Sequence, residues 1–178
     1  MYITYLGTAA AEGVPAIFCD CEHCRYARAK GGKEVRMRSG ALIDGKLKID
    51  FGPDAYAQSL RFNVSYVPVN HVLITHSHAD HIGGLEEAAL MGRYVTKSRP
   101  KMYITKEYKK ILWNQSLRGG NSYGEMSAGR FLTFEDYFEL VEPKQILKKP
   151  RILWETNCGS INIKIFRTKH IPDCVSSW

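Results

Sequence analysis

The chain has 178 residues, of which 44% are hydrophobic and 24% charged. That length suits one domain, and a chain near 150 residues buries roughly 68–70% of its unfolded surface, so intrinsic disorder is excluded as its main state. A net charge of +7 favours anionic partners, and no apolar run approaches the ~20 residues of a membrane-spanning helix.

Met1–Leu6 reads as a strand, not a signal peptide: it lacks a basic segment and stops at Gly7. Gly7–Gly13 is a loop of small residues, suited to close backbone approach. Three of the five cysteines fall within six residues, Cys19-Asp-Cys21-Glu-His-Cys24, and lead into a predicted helix at Glu22–Lys30. Without a secretory leader the expected compartment is the reducing cytoplasm, where clustered cysteines are more often metal ligands than disulfides. Arg25, Arg28, Lys30, Lys33, Arg36 and Arg38 are opposed only by Glu34; this run reads either as an anion-binding face or as solvated surface.

A hairpin is predicted next, Ala41–Ile43 and Leu47–Ile49 joined through Asp44-Gly45. Its second strand ends at Asp50, and a helix follows at Ala55–Phe62. Val72–Thr75 reads as a buried strand that runs directly into His76-Ser-His-Ala-Asp-His81. Beyond it come a helix at Leu85–Val95, a strand at Lys101–Ile104, a helix at Lys106–Leu117 and a glycine-rich loop at Arg118–Arg130. Trp113, Tyr123 and Phe131 are candidates for shaping a cleft, although aromatic side chains usually belong to a core. Arg151–Glu155 and Ile161–Arg167 read as paired strands across Asn157–Ser160. The second carries Ile161, Ile163 and Ile165 on one face, which is expected to lack a covering layer within this chain. Strands and hairpins interleaved with helices imply an α/β layered architecture with a mixed sheet.

The chemistry is concentrated in His76-x-His78-x-Asp80-His81. Residues two apart on a strand end share a side, so His76 and His78 are aimed together, and the turn into a helix presents Asp80 and His81 nearby. Imidazole suits zinc and other first-row metals, and the added carboxylate leaves room for a second ion. Paired ions of this kind clamp phosphoryl or carbonyl oxygens and acidify a bound water. Cys19, Cys21 and Cys24 supply three thiolates for a separate structural zinc, while His23 is expected to point away.

Following Val72–Thr75, the segment His76–His81 resembles the signature of the metallo-β-lactamase superfamily. Asp50 matches that superfamily's first motif, and Thr168-Lys-His170 is similar to its third. Tyr5-Leu-Gly-Thr8 resembles the phosphodiesterase branch that includes ribonuclease Z. Gly13-Val-Pro15, the cysteine knuckle at 19–24 and Arg36–Ile43 are most similar to the phosphoribosyl cyclic-phosphate phosphodiesterases. The resemblance implies one domain over residues 1–178, an αββα sandwich with much of its second half missing from this chain. It implies that His76, His78 and His170 hold one ion and that Asp80 and His81 help hold another, the metal being Zn²⁺ or Mn²⁺. Asp80 would also orient the attacking water, Asp50 would fix the metal loop, and Zn²⁺ would occupy the cysteine site. The implied activity is metal-dependent hydrolysis of a small anionic phosphodiester, ahead of nucleic acid and with no membrane partner. A lactonase or thioesterase is the alternative within the same fold. Because the family's later Asp and His ligands are not in this sequence, weak activity is expected of the 178-residue form. A non-catalytic metal-binding domain that self-associates through an exposed sheet edge is the alternative of a different class.

Overall fold

The computed structural model describes residues 1–125, 128–148 and 152–168. Six strands form the main sheet in the order β1-β2-β3-β4-β5-β8. They are β1 (Ile3–Gly7), β2 (Gly40–Ile43), β3 (Leu47–Ile49), β4 (His71–Leu73), β5 (Lys101–Tyr103) and β8 (Glu139–Val141). The first three pair antiparallel and the last four parallel, so the sheet is mixed, as expected. Helices α1 (Glu22–Lys30) and α2 (Ala55–Phe62) have the predicted bounds. The helix predicted at Leu85–Val95 is α4 (Leu85–Met91) followed by a wider π turn at Gly92–Thr96, and α3 (Ala79–Ile82) precedes it as a single turn. The helix predicted at Lys106–Leu117 likewise splits into α5 (Lys106–Leu112) and a π turn at Trp113–Leu117.

Three departures from the sequence reading have local causes. The segment 118–130 is not simply a loop: it opens with α6 (Arg118–Asn121), and β6 (Gly124–Glu125) and β7 (Arg130–Phe131) pair at its far end. Asp44 and Gly45 do turn the hairpin with positive φ, but Ile43 pairs with Leu47, so Lys46 is an extra, unpaired residue. The short elements after Phe131, namely α7 (Phe134–Tyr137), β8 and β9 (Lys144–Leu147), carry too few residues for a periodicity to be read.

The two faces of the main sheet follow from strand alternation. Leu42, Val72 and Met102 point to the helices, where Phe51, Leu85, Leu112 and Phe134 close one core. Leu47, Leu73 and Tyr103 point the other way, onto a second sheet ordered β11-β10-β9. Here β10 (Leu153–Cys158) and β11 (Ile161–Phe166) pair antiparallel around Gly159. This corrects the expectation for β11. Ile165 is 6% exposed and, with Ile161 and Ile163, packs on Leu47, Leu73 and Tyr103, so its apolar face is covered within the chain. Burial of each such side chain is worth roughly 1.5–3 kcal/mol. Among the described residues, apolar side chains stay uncovered on β1, where Ile3 and Tyr5 lie opposite Ile43 and Ala41, and on β9, where Ile146 and Leu147 are exposed. No helix among the described residues is long and apolar enough to cross a membrane.

Candidate metal centre

The parallel pairing of β3 with β4 brings two chain segments side by side where both strands end. One segment is Asp50-Phe51-Gly52; the other is Thr75 and the histidine motif. Clefts at the carboxyl ends of parallel strands are where open α/β sheets usually place their sites. Asp50, 3% exposed, turns there with φ of 54°, and its amide donates to Leu73 O at 2.8 Å.

The Asp50 carboxylate ties the two segments together. It accepts from Thr75 N at 2.7 Å, from Thr75 Oγ1 at 2.9 and 2.8 Å, and from His81 Nδ1 at 2.6 Å. An ionised carboxylate only accepts, so Nδ1 of His81 presents a proton to Asp50, while Nε2 is turned to Asp80. Nε2 lies 3.0 Å from Asp80 Oδ2. Burial opposes charge on this ring, yet the hydrogen bond to Asp50 and the charges of Asp50 and Asp80 raise its pKa above the usual histidine value. The backbone locks the same two segments: Phe51 N donates to His81 O at 2.7 Å and Gly84 N to Phe51 O at 2.9 Å.

His76 and His78 lie together. Nε2 of His76 is 3.1 Å from Nδ1 of His78, with ring centroids 4.7 Å apart, and the His76 and His81 rings approach to 3.9 Å. His76 and Asp80 are buried, and His78 and His81 are half-buried. The motif is therefore gathered as two donor pairs, His76 with His78 and Asp80 with His81. His170 and Cys174 lie outside the described residues. Thr75 and Gly52 carry no signal of their own in the sequence, although Thr75 stands immediately before the motif. What reveals them is the β3–β4 pairing.

Among the described residues, only Cys19, Cys21 and Cys24 bring three donor atoms within 4.8 Å of one another. Cys19 Sγ is 3.4 Å from Cys21 Sγ. A tetrahedral zinc with Zn–S of about 2.3 Å spaces its sulfurs at about 3.8 Å, so the donor set fits zinc. A backbone hydrogen bond from Cys24 and the thiol of Cys19 hold Cys21 below the usual thiol pKa. Cys19 accepts a backbone bond from Cys21 that favours its thiolate, but hydrogen bonds with the Cys24 and Cys21 thiols leave its pKa raised. A lowered pKa, as at Cys21, favours the thiolate that binds metal.

The remaining candidates resolve into structure. Arg25 and Arg28 bond backbone carbonyls of the cysteine loop and face Asp20, while Arg38 pairs with Asp54 at 2.7 Å. Half of the basic run is thus already engaged in holding loops. Trp113 packs on the core beside Tyr137, whereas Phe131 is exposed. Cys158 is buried at the end of β10, where burial raises its pKa.

The sequence model for the family "Anti-Pycsar protein Apyc1" matches residues 39–178. The anti-Pycsar protein Apyc1 of Paenibacillus sp. (strain J14) is 31% identical over 134 residues, covering 72% of this chain and 49% of its own length. The chain spans about half the length, or less, of the curated relatives of that name. Among solved structures, the Zn²⁺-bound PqqB of Methylobacterium extorquens superposes with a TM-score of 0.61 at 20% identity, over 87% of this chain and 52% of that one. A diphosphatase of the PhnP family gives 0.57 at 24% identity, over 93% and 60%. The fold is accordingly that of the metallo-β-lactamases, and the chain belongs to the anti-Pycsar protein Apyc1 family.

Proposed function

We propose that the protein is a metal-dependent hydrolase of small anionic phosphodiesters. The observation that carries this reading is the Asp50–His81 bond at 2.6 Å. Metal-binding histidines characteristically donate their second ring nitrogen to a carboxylate, which fixes both the tautomer and the orientation of the ring. His76, His78, Asp80 and His81, with His170, would hold Zn²⁺ or Mn²⁺. Such a metal, when bound, supplies a Lewis acid and an acidified water. The protein's own contribution is positional: Asp50 holds Thr75 and His81, and Asp80 would orient a water and take its proton. A surplus of positive charge favours an anionic substrate. The thiolates at Cys19, Cys21 and Cys24 would hold a separate structural zinc in the loop before α1.

The test is a chromogenic panel of bis-p-nitrophenyl phosphate, a thioester and a lactone, with added Mn²⁺ or Zn²⁺. Turnover of the phosphodiester that disappears in His78→Ala supports the proposal. Thioester or lactone turnover in its place would reassign the chemistry to acyl transfer. Absence of turnover on all three, with the cysteine zinc retained, would favour a metal-binding domain without catalysis.

A further inference from the structure

The three thiols before and within α1 are close together but unequally reachable. Their sulfurs lie within 4.8 Å of one another, and those of Cys19 and Cys21 are 3.4 Å apart. Cys21 is exposed, Cys19 is half-buried, and Cys24 is buried at 5% exposure. Asp20, Glu22 and His23 beside Cys21 are exposed too, so solvent reaches the knuckle there. Cys158, by contrast, is buried at the end of β10.

The protein itself gathers these sulfurs. Arg25 N donates to Cys21 O at 2.9 Å in the first turn of α1, and the Arg28 guanidinium donates to Cys19 O and Ala16 O. Cys21 stands at the start of α1 and Cys24 in its first turn. The segment Cys21-Glu-His-Cys24 therefore has the Cys-x-x-Cys spacing of dithiol redox centres, with one sulfur outside and one inside. A disulfide between them and a zinc bound through them are mutually exclusive, because each needs the same sulfur electron pairs.

We propose that the knuckle is a peroxide-sensitive site, at which oxidation joins Cys21 to Cys24 and expels the zinc. The zinc half rests on the thiolate–zinc reading above; the disulfide half stands without it. The exposed Cys21 thiolate attacks one peroxide oxygen, the O–O bond breaks, and a sulfenic acid and hydroxide form. The Cys24 thiolate then attacks the Cys21 sulfur, the S–O bond breaks, and a second hydroxide leaves. Two electrons pass from the sulfurs to the peroxide, and buffer protons convert both hydroxides to water. Cys19 is left as a single thiolate, too few donors to retain the ion.

The test treats the full chain, zinc-stripped and zinc-loaded, with limiting hydrogen peroxide, followed by iodoacetamide. No Lys or Arg precedes Arg25, so trypsin releases all three thiols on Met1–Arg25, and cleavage before Asp20 separates Cys19 from the pair. The expected fragment Asp20–Arg25 is unalkylated and lighter by two hydrogens, while Cys19 is alkylated. In the stripped chain Cys21→Ser should oxidise roughly tenfold more slowly or worse, whereas Cys19→Ser should still form the disulfide. The loaded chain should release about one equivalent of zinc to a chromogenic chelator, Cys21→Ser should release none, and dithiothreitol with zinc should restore the site. Full alkylation of Cys21 and Cys24 after peroxide, a disulfide made through Cys19, or equal oxidation rates in Cys21→Ser would each overturn the proposal. A disulfide formed while the zinc stays bound would overturn the expulsion step. A disulfide in a chain that never took up zinc at the knuckle would instead overturn the zinc reading and uphold the oxidation site.

Discussion

Gly52 lies directly against the carbonyl of Asp80: a Cβ added at Gly52 would stand 2.1 Å from Asp80 O and 3.2 Å from Asp80 C. The neighbour is backbone, and it belongs to the one-turn helix α3 that carries both Asp80 and His81. Gly52 does not have positive φ, so the requirement is for space alone. Gly52→Ala is therefore expected to push α3 away from the loop after β3. A loss of about 1–3 kcal/mol, in the range of overpacked sites, should appear as a lower urea midpoint. Metal content at the histidine motif should fall while the cysteine zinc persists. An unchanged midpoint with unchanged metal would show that the two loops slide apart freely.

Asp50→Asn keeps the shape of the side chain but replaces one acceptor with an NH₂ donor. The amide oxygen still receives Thr75 N, but the NH₂ then meets His81 Nδ1–H, and donor faces donor. His81 is expected to lose its fixed orientation. Metal affinity at the motif should drop roughly 10–100-fold, as is usual when a histidine's carboxylate partner is lost. Calorimetric titration with Mn²⁺ reads this directly, and an affinity equal to the parent's would remove Asp50 from the positioning role.

How much of the molecule is legible in its sequence depends on the range of the interactions involved. Helices α1 and α2 keep their predicted bounds because local signals mark them, an acidic Glu22 opening α1 and a left-handed Asn63 closing α2. The closeness of His76 to His78 and of Asp80 to His81 follows from their spacing. By contrast, the burial of Ile165 depends on Leu47, Leu73 and Tyr103, which come much earlier in the chain, so the sequence does not reveal that β11 covers them. The Asp50–Thr75–His81 linkage needs β3 beside β4, which is likewise a tertiary fact. The start of α7 does have a local mark, too short to predict a helix by itself. Thr133 is followed three residues later by Asp136, which accepts from Thr133 N at 2.7 Å.

Cys21→Ser removes the central thiolate of the 19–24 knuckle. A hydroxyl is a poor zinc ligand beside two thiols, so zinc per chain should fall by about one equivalent on plasma emission analysis. Arg28 bonds Cys19 O and Ala16 O from α1, so loss of the metal should loosen the contact of α1 with that loop and lower the melting temperature. The metal held by the histidine motif should remain. A zinc stoichiometry identical to the parent's would eliminate the thiolate site.

Lys48 gives a prediction in pH. Strand alternation puts Leu47 and Ile49 on the second sheet's side, so Lys48 points into the helix-side core, where it is 1% exposed. Its ammonium donates to Asp50 O at 2.7 Å and Ile49 O at 3.1 Å and lies over the Phe51 ring. Burial pulls its pKa down to about 8, with the Asp50 charge offsetting part of that effect. The sign comes from proton counts. Between pH 8 and the ordinary lysine value near 10.5, the unfolded chain holds a proton that the folded chain has released, so stability from this residue rises with pH. Integrated over that window, the contribution is of the order of 3 kcal/mol at most. Lys48→Met keeps the length of the side chain, cannot ionise, and removes this slope. Tyr66 and Tyr103, whose folded pKa values are raised by burial, lose stability only as pH rises beyond the ordinary tyrosine value of 10, so the comparison is cleanest between pH 7.5 and 9.5. Urea denaturation in that interval should show the parent gaining stability relative to Lys48→Met with each step upward in pH. Parallel curves for the two proteins would mean that Lys48 keeps its proton in the core throughout, held by the carbonyls of Ile49 and Asp50.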